Sequence, residues 1–270
     1  MLLKVVSRYG FCHFVSNYNG SKGALCQIRE ILDFGADPNQ RHVVDILTGE
    51  VGRPVLNQAI QHNAVHLVKM LLHYGACPHA YHSLHAASTS GLVPPRCQIV
   101  QLLVDHGCDV NELNTERSTP LMHLCEHGKP GTTLPIAKVL VNNGARVYVD
   151  GQQGRTPLKA VAGAGMHRMV HFLLPECTAA DVEDVLIWYA MSRRYGCLTG
   201  LRHHIFMTLT RALVRKMGAN TDWPTWNRQL WFSLSHWGRA QLRQEYQLLL
   251  VTNRLFGQGT VIPLTIAEYV

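Results

Sequence analysis

An apolar helix that closes on Gly-Ala or Gly-Cys and a short polar turn recurs along the chain. It reads Ile31-Leu32-Asp33-Phe34-Gly35-Ala36-Asp37-Pro38-Asn39, then Leu71-Leu72-His73-Tyr74-Gly75-Ala76-Cys77-Pro78. It returns at Leu102-Leu103-Val104-Asp105-His106-Gly107-Cys108-Asp109-Val110-Asn111 and at Leu140-Val141-Asn142-Asn143-Gly144-Ala145-Arg146-Val147. A last copy is Leu213-Val214-Arg215-Lys216-Met217-Gly218-Ala219-Asn220. From Gly35 through Gly75, Gly107 and Gly144 to Gly218 the steps are 40, 32, 37 and 74 residues. The last step is twice 37, so one intervening copy lacks its glycine. That copy ends at Phe172-Leu173-Leu174-Pro175, where proline stops the helix. Elsewhere glycine after the helix supplies the left-handed conformation that satisfies orphan carbonyls. The leucine pairs pack one repeat on the next, because a lone helix pair cannot bury both of its faces.

Each repeat also has a recognisable opening. Ser118-Thr119-Pro120-Leu121 and Arg155-Thr156-Pro157-Leu158 place a hydroxyl where it can cap a helix and proline where a missing N–H costs nothing. The first full repeat ends near Asn39. The second covers 51–80, with Arg53-Pro54-Val55-Leu56-Asn57-Gln58-Ala59 as its opening. The third opens at His82-Ser83-Leu84-His85-Ala86-Ala87, its inter-helix turn widened by Val93-Pro94-Pro95-Arg96. The fourth opens at Thr119 with a wide turn over 128–133, and the fifth at Thr156 with Gly163-Ala164-Gly165 as its turn. A degenerate sixth runs from about Thr178 to Asn220, with helices predicted over 180–191 and 205–217. Before them, Val5-Val6-Ser7-Arg8-Tyr9-Gly10 reads as the end of a repeat with no opening, which fits either a divergent cap or a truncated chain. These openings follow the T-P-L-H-x-A pattern, and the chain resembles ankyrin-repeat proteins. The resemblance implies an all-α solenoid of about six repeats, some degenerate, over 1–222.

Composition adds two constraints. The chain is 47% hydrophobic and 16% charged, ample for stacked apolar helices. No uncharged apolar run is long enough to cross a bilayer, so no membrane span is expected. Eight cysteines are scattered without a C-x-x-C, as suits reduced thiols in a cytoplasmic or nuclear protein. The net charge of +7 is segregated: ten Lys/Arg between Ala190 and Arg254 face only Asp222 and Glu245. A basic half favours an acidic protein partner over nucleic acid, since no aromatic-basic RNA motif accompanies it.

Catalytic patterns are thin. His123-Leu124-Cys125-Glu126-His127 matches H-x-x-E-H, a zinc-peptidase signature. The match lies inside the frame that opens at Thr119, where a histidine of the first helix is expected to bridge to the neighbouring turn. His62 and His66, four apart, and His203-His204, read as a turn, show no partner ligand. Neither phosphate-cradling glycine pattern is present. The expectation is a non-enzyme with no metal and no cofactor.

Past Asn220 the pattern changes. Trp223-Pro224-Thr225-Trp226 opens a tryptophan-rich piece with helical spacing, and Ser233-Leu234-Ser235-His236-Trp237-Gly238-Arg239-Ala240-Gln241-Leu242-Arg243 puts 234, 238 and 242 on one helix face. Ile262-Pro263-Leu264-Thr265-Ile266-Ala267-Glu268-Tyr269-Val270 follows. The first stretch is similar to S-L-x-H-L-C-R-x-x-I-R and the second to L-P-x-x-L-x-x-Y-L, the two parts of a SOCS box. The chain departs from that pattern at Trp237 and Gly238. Residues 223–270 thus resemble a small helical SOCS-box domain, and the whole resembles the ankyrin-repeat and SOCS-box family. The resemblance implies a substrate-recognition adaptor of an elongin B/C–cullin–RING ubiquitin ligase. It implies that Leu234, Gly238 and Leu242 contact elongin C and that Ile262, Pro263 and Ile266 face the cullin. An unknown protein substrate is then expected on the finger loops and inner helices around 37–39, 79–82, 109–114 and 146–151, at Asp37, Asn39, His79, Asp109, Asn111, Asn114 and Arg146. The alternative is an ankyrin scaffold with no ligase link, whose C-terminus caps the solenoid.

Overall fold

The structure is a computed structural model that describes residues 11–45, 50–89, 95–129, 131–147, 155–191, 201–217 and 244. The chain falls into two compact units, Met1–Pro157 and Leu158–Val270.

In the first unit the apolar stripes become two rows of helices. The inner row is α1 (Phe11–Ser16), α3 (Val55–Gln61), α5 (Ser83–Thr89) and α7 (Pro120–His127). The outer row is α2 (Lys22–Asp33), α4 (Val65–His73), α6 (Pro95–Asp105) and α8 (Thr133–Asn142). Successive inner helices pack on one another, as do α4 on α6 and α6 on α8. Leu56, Ile60, Leu71, Leu84, Leu103 and Leu121 are sealed between the rows. The turn glycines do what the pattern requires: Gly35, Gly75, Gly107 and Gly144 all sit near φ +90°. Each donates its N–H back to the outer helix, as Gly107 does to Val104 at 2.9 Å.

Thr119 caps α7, its Oγ1 accepting from Met122 N at 3.3 Å, with Pro120 in the first turn. The cap is buried, so losing it strands an amide away from water. Thr119→Ala is expected to lower unfolding stability by about 1 kcal/mol in urea titration, whereas Thr119→Ser should stay close to wild type.

Two features of the first unit differ from the sequence expectation. The loop between α2 and α3 is a two-stranded antiparallel hairpin, β1 (Arg41–Asp45) with β2 (Glu50–Pro54), which adds strand to the helices of the described residues. Arg41 lies opposite Pro54 and Val43 opposite Val51. The hairpin accounts for the 40-residue step between Gly35 and Gly75, because the extra backbone finds its hydrogen bonds within itself. Second, Pro95 and Arg96 are not turn residues. They open α6, and Arg96 is fully buried. Its guanidinium donates to Ala86 O and Gln61 O, carbonyls in the last turns of two inner helices, whose negative ends offset part of its charge. Burial nevertheless pushes its pKa down to about 10.

The second unit holds α9 (Pro157–Gly163), α10 (His167–Leu173), α11 (Ala179–Met191) and α12 (Leu201–Met217). The helix α10 ends at Leu173 and tightens into a 3-10 turn, Leu174–Glu176, at the proline. Thr178 and Asp181 cap α11 reciprocally: Thr178 N donates to Asp181 Oδ2 at 2.6 Å and Asp181 N to Thr178 Oγ1 at 3.3 Å. The helices α11 and α12 pack together, with Val182, Leu186, Ile205 and Leu209 buried. His203 and His204 lie inside α12 and not in a turn. The expected boundary at 222/223 and the whole box-like segment lie outside the described residues, Gln244 apart.

Candidate functional site

The candidate surface is built on the loops that lead from each outer helix to the next inner helix. Two of them carry Asp-x-Asn after the glycine: Asp37-Pro38-Asn39 and Asp109-Val110-Asn111. In both, Asp Oδ1 accepts from the Asn backbone N–H two residues on, at 2.8 Å. That turn aims the asparagine at the following loop. Asn39 Nδ2 donates to Gly75 O at 3.1 Å, and its Oδ1 accepts from Cys77 N at 2.6 Å. Asn111 repeats this one repeat pair later, with Gly144 O at 3.0 Å and Arg146 N at 2.8 Å. Between them Cys108 Sγ reaches back to Pro78 O at 3.2 Å. The loops at 35, 75, 107 and 144 are therefore tied into one strip.

This changes how the predicted contact residues read. Asn39 and Asn111 spend both amide atoms on neighbouring backbone. Asn114 likewise spends its Oδ1 on Glu116 N and Ser118 N, at 3.0 and 2.9 Å, around Arg117 at φ 55°. Asp37 and Asp109 are exposed, each with one oxygen in its turn. His79 and Arg146 present exposed side chains. Leu234, Gly238, Leu242, Ile262, Pro263 and Ile266 lie outside the described residues.

Beside them stand Tyr81, His82, Glu112 and Leu113, within the expected contact loops, and Arg41, which the sequence did not single out. Arg41, on the hairpin, lies 4.6 Å from the Tyr81 ring centre and donates to Tyr81 Oη at 2.9 Å. Tyr81 holds φ 57°, an uncommon conformation for an aromatic residue, and is 45% exposed. His82 pairs with Glu112 at 3.2 Å, and the neighbouring Leu113 is 47% exposed. Arg41, Tyr81, His82 and Glu112 thus link three successive loops. An aromatic and an arginine out of a helical frame were the available sequence signal, but only stacking of the repeats brings them together.

Behind the loops runs a row of imidazoles. The ring centres of His82 and His85 are 5.4 Å apart, those of His85 and His123 5.9 Å, and those of His123 and His127 4.6 Å. His85 is buried, and its Nε2 donates to Ser118 O at 2.8 Å. Burial drives its pKa down to about 4 against the pull of the Ser118 carbonyl, with help from His123 and His82. Asn57 takes the equivalent slot one repeat earlier: its Nδ2 donates to Tyr81 O at 3.0 Å, and its Oδ1 accepts from Ser83 Oγ at 2.9 Å. The bridging histidine is therefore His85. His123 sits one position past the corresponding slot, which Met122 fills, and its buried Nδ1 has no hydrogen-bond partner among the described residues. Desolvation, and next His127, lowers the His123 pKa.

The described cysteines are all free. Burial raises the thiol pKa of Cys12 and Cys177 to about 11 and of Cys108 to about 12, so these stay protonated.

A family model described as ankyrin repeats matches residues 84–185 in three copies. Residues 84–185 are ankyrin repeats. The putative ankyrin repeat protein FPV222 of fowlpox virus (strain NVSL) is similar, 30% identical over 152 residues. The match takes in 55% of this chain and 18% of that relative, so the chain spans under a fifth of the relative's length. The ankyrin match begins one residue before His85 and includes Asp109, Asn111, Asn114 and Arg146. The hairpin, Asn39 and His79 precede it. Their loops join the ankyrin strip through the Asn39 and Cys108 bonds just described. Among the described residues, no helix is long and apolar enough to cross a membrane.

Proposed function

We propose that the chain is a protein-recognition adaptor: the ankyrin loops bind a protein partner, and the segment from about Trp223 recruits elongin B/C and a cullin. The observation that carries the first half is the hydrogen-bonded strip of loops. Loops that are fixed before binding lose little conformational freedom on complex formation. The strip carries Arg41, Tyr81, Leu113 and Arg146 at its surface, and aromatic residues and arginine are the side chains enriched where protein interfaces concentrate their energy. The second half rests on the likeness of 233–243 and 262–270 to the two parts of a SOCS box. In this reading Leu234, Gly238 and Leu242 meet elongin C, while Ile262, Pro263 and Ile266 meet the cullin. A leucine fully buried in such an interface is worth roughly 1.5–3 kcal/mol.

Co-expression with elongin B and C followed by capture of the full chain tests the adaptor reading. The complex is expected with wild type and lost with Leu234→Asp. Substituting Arg41→Glu and Tyr81→Ala together should leave elongin capture intact while changing which other proteins are held. Failure to hold elongin B/C at low salt would leave the chain a plain ankyrin scaffold. Release of all partners by moderate salt would point instead to charge-driven association with nucleic acid.

A further inference from the structure

The two histidines of the H-x-x-E-H stretch do not behave like the bridging histidine of the repeat, and they are not alone. His123 and His127 lie one turn apart on α7, with ring centres at 4.6 Å. The turn that precedes α7 brings a third ligand type: Glu116, whose carboxylate offers an oxygen to the same point. One ligand atom from each of Glu116, His123 and His127 falls within 4.8 Å of the other two. We infer that Glu116, His123 and His127 form a binding site for a zinc-like divalent cation, which fastens the loop ahead of α7 to that helix.

The donor chemistry selects the ion. Two imidazole nitrogens and one carboxylate oxygen suit zinc and its neighbours in the transition series. Magnesium and calcium call for more oxygens than the cluster has. Zinc–nitrogen bonds of about 2.0–2.1 Å would draw the three ligands closer, a movement open to the exposed Glu116 and His127 side chains. The anchor already stands in place. His123 is half-buried, and its sealed Nδ1 is left without a hydrogen bond among the described residues, which is costly for a polar atom kept from water. A shift of the ring that brings Nδ1 to the ion would add a partner where the described residues supply none. The loop is shaped in advance, with Asn114 Oδ1 accepting from Glu116 N at 3.0 Å and from Ser118 N at 2.9 Å, and Arg117 left-handed between them.

The role assigned to the site is binding. Glu126, which the peptidase signature would use on the metal, is paired with Arg155 at 3.2 Å on another side of the helix. This inference is independent of any ligase link, since every ligand lies within the repeats.

Zinc titration of the purified, chelator-stripped full chain against a chromophoric chelator tests it near neutral pH. One zinc per chain is expected, and His127→Ala and Glu116→Gln should each weaken binding at least about tenfold. Both side chains are exposed, so neither variant should unfold, which circular dichroism checks. His66→Ala, at an exposed histidine of an outer helix, should leave the affinity unchanged. Absence of stoichiometric binding overturns the assignment. Binding that survives His127→Ala and Glu116→Gln, or that falls with His66→Ala, also overturns it, because the zinc would then sit elsewhere.

Discussion

Acidification from about pH 7 to about pH 4 is expected to remove about 3 kcal/mol of stability through His85 alone. The buried imidazole donates through Nε2 to Ser118 O and is flanked by the rings of His82 and His123. Desolvation holds its pKa at about 4, below the usual 6.5. Between those values the unfolded chain takes up a proton that the folded chain refuses. The contribution is therefore complete above about pH 6.5 and declines as pH falls, until it is gone at about pH 4. Two effects set the sign. The Ser118 carbonyl favours the imidazolium, whereas burial and two neighbouring imidazoles oppose it, and burial is the largest. The measurement is a pair of urea-unfolding series over this range, for wild type and His85→Gln, whose amide can still donate to Ser118. His123 and His171 also have lowered pKa values, so the difference between the two proteins is the quantity to read. It should shrink by about 3 kcal/mol toward acid. Parallel curves would mean that His85 titrates like a solvated imidazole.

The repeat frame was legible because its markers act locally. Gly35, Gly75, Gly107 and Gly144 must be left-handed whatever lies beyond the turn, and all four are. Thr119-Pro120 starts a helix from within five residues, and Pro175 tightens one as it ends. What depends on a partner more than thirty residues away was not legible. Asn39 and Asn111 look like exposed polar loop residues in the sequence, and only stacking places a carbonyl and an amide of the next loop opposite them. Arg96 reads as loop because it follows two prolines, yet the helix begins at the second, and two helix ends receive its charge. The hairpin escaped because its strands are short and its only apolar pair, Val43-Val44, gives no alternation to read. The role given to His123 belonged to His85, since the frame's histidine slot is held by Met122 in that repeat. The residues expected to recruit a ligase are the same ones the structure leaves undescribed, so that half of the function rests on the wording of two short motifs.

The second large effect follows from the loop strip. Replacing Asn39 and Asn111 together by alanine is expected to destabilise the first unit by about 2–4 kcal/mol, the sum of two sites costing about 1–2 each. Each asparagine satisfies one carbonyl and one amide of the following loop, at Gly75 and Cys77 and at Gly144 and Arg146. Part of that backbone is open to water, which keeps the figure below that of a buried network. The sites share no partner and lie a repeat pair apart, so their costs should add. Aspartate is the discriminating substitution. It keeps the oxygen that accepts from Cys77 or Arg146 but sets a charge against the Gly75 or Gly144 carbonyl, so Asn111→Asp should cost at least as much as Asn111→Ala. Chemical denaturation gives the stability, and hydrogen exchange at the Cys77 and Arg146 amides gives the local effect. Were the asparagines present to contact a partner, alanine would weaken partner capture and leave both amides as protected as before. Were they clamps, protection at Cys77 and Arg146 falls first, and binding declines only as far as the loops that carry Tyr81 and Arg146 lose their fixed spacing.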